Sequence, residues 1–90
     1  SKRLGSIYDR LVTESKELKQ RKEDLDARRT GLDGEQRALS PSDVGSAIDF
    51  SLKVDVFNRD GAALRRDFEL HTGEVEDYFR QIERLAVGQP

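Results

Sequence analysis

One short run, in which apolar and polar residues take turns, most constrains how this chain can fold. Ile48, Phe50, Leu52, Val54 and Val56 alternate with Asp49, Ser51, Lys53 and Asp55, the period-two pattern of a strand with one buried face. Asn58-Arg59-Asp60-Gly61 follows and reads as a type I turn, with Gly61 in the left-handed position of a G1 bulge. That turn predicts a register with Val56 against Leu64, Leu52 against Phe68 and Phe50 against Leu70 on one face. On the other face it sets Asp55 against Arg65 and Lys53 against Asp67, both opposite-charge cross-strand pairs. Turn chemistry, apolar face and charge agree on one register, so the expectation is a β-hairpin over residues 48–72.

Composition limits what can surround it. The 90 residues are 38% charged and only 34% hydrophobic, so no large core is available, and a chain of this size often needs a partner or a second copy for stability. A net charge of −2 argues against nucleic acid as a ligand, because phosphate binding normally shows as basic excess. The absence of cysteine removes disulfides, thiolate chemistry and Cys-based zinc sites. No apolar run approaches a membrane span and no signal peptide is visible, which points to a cytoplasmic protein. There is no methionine, even at position 1, so the chain reads as processed or as a fragment of a larger protein.

Before the alternating run stands a leucine repeat. Leu4, Leu11, Leu18, Leu25 and Leu32 recur every seventh residue, and Leu39 continues the series. The residues between them are mostly charged or polar, with opposite charges at i,i+4 in Glu17–Arg21, Lys19–Glu23, Lys22–Asp26 and Asp24–Arg28. One leucine per heptad is narrower than the face of a helix buried in a globule and resembles a coiled-coil seam. The second seam position holds Tyr8, Ser15, Lys22 and Arg29; cations there weaken a homodimer and help to choose register or partner. Gly31 and Gly34 predict a helix end near Thr30, giving a rod of roughly 28 residues and about 42 Å.

The expected organisation is therefore a stalk helix over residues 1–33, a connection over 34–47 and a head over 48–90. Within the connection, Ser40-Pro41-Ser42-Asp43 suits a helix start with Ser40 as N-cap and Pro41 in the first turn. In the head, Thr72-Gly73 ends the second strand and a helix runs from Glu74 to about Ala86, with Val75, Tyr78, Phe79, Ile82 and Leu85 on one face. Its early acids and late arginines suit the macrodipole. Val87-Gly88-Gln89-Pro90 reads as a frayed end or a cut linker. The fold class expected is α+β, a coiled-coil-like helix followed by a β-hairpin under a C-terminal helix.

A rival fits the same residues. Ala47, Phe50, Val54, Phe57, Gly61, Leu64, Phe68, His71, Val75, Tyr78, Ile82 and Leu85 also follow an unbroken heptad, and folding it back on the leucine helix makes an all-α antiparallel helical hairpin. Leu32 would then meet Phe50, Leu25 Phe57, Leu18 Leu64 and Leu4 Tyr78. Against it stand the β-branched Val54 and Val56, the interior Gly45, Gly61 and Gly73, and Ile48, Leu52 and Val56 left outside.

Residues that carry chemistry are few. On the second strand Asp67, Glu69 and His71 share a face, and Asp49 stands opposite His71. Carboxylates around an imidazole suit a divalent metal or acid–base work, but an outer sheet face lacks the burial that perturbs such groups, and a solvated charged face is the simpler reading. Gly31-Leu32-Asp33-Gly34 has the outline of a GxxG phosphate clamp, yet Asp33 has the wrong charge and a helix terminator explains both glycines. Lys16, Lys19, Arg21, Lys22, Arg28 and Arg29 are interleaved with acids rather than packed into a basic-zipper run. Residues 1–40 hold ten Lys/Arg against eight Asp/Glu and residues 41–90 six against ten, a slightly basic stalk and an acidic head. Arg66 falls on the apolar strand face opposite Val54, where it would snorkel or pair with Glu83.

With no nucleophile–base pair, phosphate loop, metal spacing or cofactor fingerprint, the chain is not expected to be an enzyme, nor to carry a cofactor or metal or take a small-molecule substrate. It reads as a protein–protein interaction and oligomerisation module, a homodimer or hetero-oligomer. Leu4, Leu11, Leu18, Leu25 and Leu32 would pair subunits. Phe50, Leu52, Val54, Val56, Leu64, Phe68, Leu70, Val75, Tyr78, Phe79, Ile82 and Leu85 would form the core and contact surface of the head. Two further readings compete: a small acidic chaperone or adaptor holding a client by strand addition or an aromatic rim, and a nucleic-acid binder. No membrane partner is expected.

Overall fold

The computed structural model of the protein describes residues 2–88, and they form two antiparallel helices, α1 (Lys2–Ala38) and α2 (Val44–Val87), with no strand among them. Its Cα extents are 75 × 15 × 15 Å and its radius of gyration is 20.6 Å, where a compact chain of this length has about 12 Å. Gln89 and Pro90 lie outside the described residues, so the reading of a frayed end applies here only to Val87 and Gly88. Gly88 is the C-cap of α2, its N–H donating to the Arg84 carbonyl at 2.8 Å.

Reversal takes place over residues 39–43. The Leu39 N–H donates to the Gln36 carbonyl at 3.3 Å as α1 unwinds, and the Asp43 N–H to the Ser40 carbonyl at 3.1 Å. The N-cap of α2 is Asp43 rather than Ser40: its carboxylate accepts the Ser46 N–H at 3.0 Å and the Ser46 hydroxyl at 2.7 Å. These two bonds, the N–H first and the hydroxyl second, hold the Asp43 carboxyl below its ordinary value. Pro41 therefore sits in the turn and not in the first turn of a helix.

The α+β expectation is overturned, and the β-hairpin expected over residues 48–72 with it. Residues 48–72 are continuous helix, Glu74 is mid-helix rather than a helix start, and Gly61 does not adopt a left-handed conformation. The alternating run explains how the pattern misleads. On a helix, Ile48, Leu52 and Val56 form one i,i+4 row and Phe50 and Val54 another, on different faces. Phe50, Val54 and Phe57 are half-buried while Ile48, Leu52 and Val56 are exposed. A lone two-stranded hairpin is marginal in water, whereas a 44-residue helix closes its own hydrogen bonds and lays a heptad stripe on the leucines of α1. Each interior glycine costs about 1 kcal/mol, less than the roughly 2–3 kcal/mol contributed by each well-buried leucine.

Helix α1 likewise runs past the expected end near Thr30, through Gly31 and Gly34, to Ala38. Its 37 residues span about 55 Å. A helical glycine is an energetic weakness and not a stop unless tertiary structure uses it as one. Here the seam continues to Leu32 and Leu39, both half-buried, and carries the helix across.

The all-α alternative holds, in a register one turn away from the one expected for it. Tyr78 meets Tyr8, with ring centroids 6.1 Å apart, and Phe57 lies under the guanidinium groups of Arg28 and Arg29 at 5.7 and 5.8 Å. Ion pairs fit this register. Glu35–Lys53 at 3.1 Å, Arg28–Asp60 at 2.7 Å and Arg21–Asp67 at 2.7 Å recur at heptad spacing on both helices. Sliding α2 by four residues would bring Glu35 to Asp49, Arg28 to Val56 and Arg21 to Ala63. Each exposed pair contributes only about 0–1 kcal/mol, so the three lost attractions and one new repulsion disfavour the slipped register modestly.

Candidate interaction surface

The five leucines expected to pair subunits are used within one chain. Leu11 and Leu18 are buried against α2, and Leu4, Leu25 and Leu32 are half-buried along the same stripe. Among the described residues Leu64 is the only buried position of α2. The residues expected to form a head are divided by the helix. Phe50, Val54, Val75 and Tyr78 are half-buried on the seam, whereas Leu52, Val56, Leu70, Phe79 and Leu85 are well exposed, and Phe68 and Ile82 lie at its edge, 36% and 37% exposed.

The two sides of the seam differ. One side carries the ion pairs. Beyond the three heptad rungs, Arg10 bonds Glu74 at 3.2 Å and the His71 ring meets Glu14 at 3.1 Å. On α1 these positions, Glu14, Arg21, Arg28 and Glu35, follow the leucine stripe on one flank. The other flank, carrying Tyr8, Ser15, Lys22 and Arg29 on α1, has no interhelical ion pair among the described residues; Lys22 pairs within α1 with Asp26 at 3.1 Å. On that side a depression of about 570 Å³ opens, floored by Leu25, Phe57, Gly61, Leu64 and Phe68 and rimmed by Lys22, Arg29 and Arg65. A Cβ placed on Gly61 would have no atom within 4 Å.

The expected metal or acid–base cluster is dispersed. Asp67 is held by Arg21 and His71 by Glu14, Glu69 is exposed, and Asp49 stands 22 residues before His71, about 33 Å along the helix. Gly31 and Gly34 are helical and form no loop, which removes the phosphate-clamp outline. Arg66 is exposed and lies about 26 Å from Glu83 along α2, so the expected pairing does not occur. Sequence reasoning missed the interhelical rungs, although their signal was present: Arg21, Arg28 and Glu35 have charge opposites at the same spacing, in reverse order, in Asp67, Asp60 and Lys53.

Fold and surface define an elongated antiparallel two-helix hairpin, a geometry compatible with a coiled coil. Comparison with protein-family models, with curated proteins and with solved structures finds no match. Among the described residues no helix is long and apolar enough to cross a membrane.

Proposed function

We propose that the chain is a non-enzymatic assembly module, a helical hairpin whose role is to pack against further helices, its own or those of another protein. One observation carries this reading. The chain exposes 7218 Å², where a compact monomer of 10.2 kDa exposes about 5300 Å². The surplus, roughly 1900 Å², exceeds the ~800 Å² per partner of a standard protein interface, and large apolar side chains stand in it along the whole of α2. With three buried apolar side chains among the described residues, each still 5–6% exposed, the hairpin has little internal core to hold it rigid. The leucine repeat closes the hairpin, so assembly falls to the faces left outside the seam. Sedimentation equilibrium with circular dichroism across the micromolar range tests this. Melting temperature and mass should rise with concentration, or the isolated chain should melt without cooperativity until a partner helix is added. A cooperatively folded monomer with a concentration-independent melting temperature would refute it.

The adaptor reading survives only in its aromatic-rim form, since no strand edge exists among the described residues to accept a client strand. Tyr8, Phe68 and Phe79 supply such a rim.

A further inference from the structure

We propose that the flank without ion pairs is where a second copy of this chain docks, α2 against α2 in antiparallel, with Phe79 of each copy over Gly61 of the other. The proposal rests on the assembly reading above and specifies its partner and its face.

Three observations converge on it. The first is the asymmetry of the seam. Every interhelical ion pair among the described residues lies on one flank, where a closely packed helix would have to bury charge. The opposite flank offers Phe68 and Phe79 together with the gap at Gly61. The second is extent. An antiparallel overlap centred near residue 70 spans about 50 Å of α2.

The third is charge. The depression around Gly61 has the cationic rim Lys22, Arg29 and Arg65, and its one carboxylate, Asp26, is already bonded to Lys22. Two copies set depression to depression would bring like charges together. Further along the same edge of α2, Glu69, Glu76 and Glu83 recur every seven residues, all exposed. Setting Phe79 over Gly61 brings Glu76 to Arg65 and Glu83 to the Arg29–Phe57 pair, and the two-fold axis repeats both contacts. Glu76 and Glu83 then meet cations on both halves of the interface, while the two copies of Glu69 lie beside the axis.

The full chain contains no cysteine, which makes the test clean. In sedimentation equilibrium the wild type should be a dimer. Phe79→Ser should shift it to monomer with its helical signal retained, because Phe79 is 57% exposed in the hairpin. Glu76→Lys with Glu83→Lys should raise the dimer dissociation constant at least about tenfold, and adding Arg65→Glu to Glu76→Lys should recover part of the loss. Thr72→Cys, close to the proposed axis, should oxidise to a covalent dimer, whereas Leu52→Cys on the outer row should not. Leu52→Ser should leave the dimer intact. A dimer lost with Leu52→Ser and indifferent to Phe79→Ser would overturn this inference while leaving the assembly reading in place. A poorly cooperative monomer would do the same, pointing to a different chain as partner. A stable, cooperative monomer would overturn both.

Discussion

Arg59→Pro separates the helical hairpin from its β competitor more sharply than any other single change. In a type I turn Arg59 would occupy the second position, where proline is favoured, and substitution there would be neutral or stabilise by about 0.4–1 kcal/mol through the unfolded chain. In the structure Arg59 is in the middle of α2, exposed, with no side-chain hydrogen bond or ion pair among the described residues. The change therefore acts through the backbone alone. Proline removes the bond to the Asp55 carbonyl and its ring clashes with that group, for about 3 kcal/mol or more. It also kinks α2 next to the Arg28–Asp60 rung and the Phe57 contacts, adding a loss of packing. A domain of this length is stable by roughly 5–13 kcal/mol, so the variant gives up a quarter or more of the total. Urea unfolding followed by circular dichroism, at one fixed protein concentration, measures it against Arg59→Ala, which should change stability by less than about 0.5 kcal/mol. Arg59→Pro as stable as wild type would refute a continuous helix through residues 58–61.

Other expectations follow from the same geometry. Gly31→Ala and Gly34→Ala should each stabilise by about 1 kcal/mol, since both are helical and exposed and a Cβ would meet nothing within 4 Å; thermal melts that fall instead would restore the helix stop. Leu18→Ala should cost about 3 kcal/mol and Leu32→Ala clearly less, because only the former is buried, a ranking that urea midpoints will read directly. Arg21→Asp should destabilise by about 1 kcal/mol and be largely rescued by Asp67→Arg, the coupling read from a double-mutant cycle. The Asp43 cap sets an acid-side dependence. Its carboxyl is held below its ordinary value in the fold, so its contribution is complete above the unfolded carboxylate range and disappears as pH falls through the lowered folded value; Asp43→Asn should keep the cap and flatten that part of the pH profile of the melting temperature.

Much of the architecture was legible in the chain itself. The leucine heptad announced a long helix with a single narrow seam, and the second heptad from Ala47 to Leu85 fitted a mate, although the β-hairpin was the reading preferred over it. What misled was local. The strand pattern at 48–56, the turn at 58–61 and the glycines at 31, 34, 61 and 73 are short-range preferences worth about 1 kcal/mol or less apiece, and the helices override all of them. The candidate metal cluster depended on a strand geometry and dissolved with it, since Asp49 and His71 end far apart on one rod.

Sequence alone determined that the chain would open with a long helix on a leucine stripe, though its end was expected near Thr30 and not at Ala38, and that little core could form. Tertiary structure decided the state of residues 48–72, the register of the two helices and which flank of the seam stayed open. The reason is one of range. Alternation over five residues is compatible with a strand or with two helical rows, and no local energy separates them decisively. Only burying the leucines of α1, with the heptad-spaced ion pairs alongside, couples residues eighteen to forty-six positions apart strongly enough to choose.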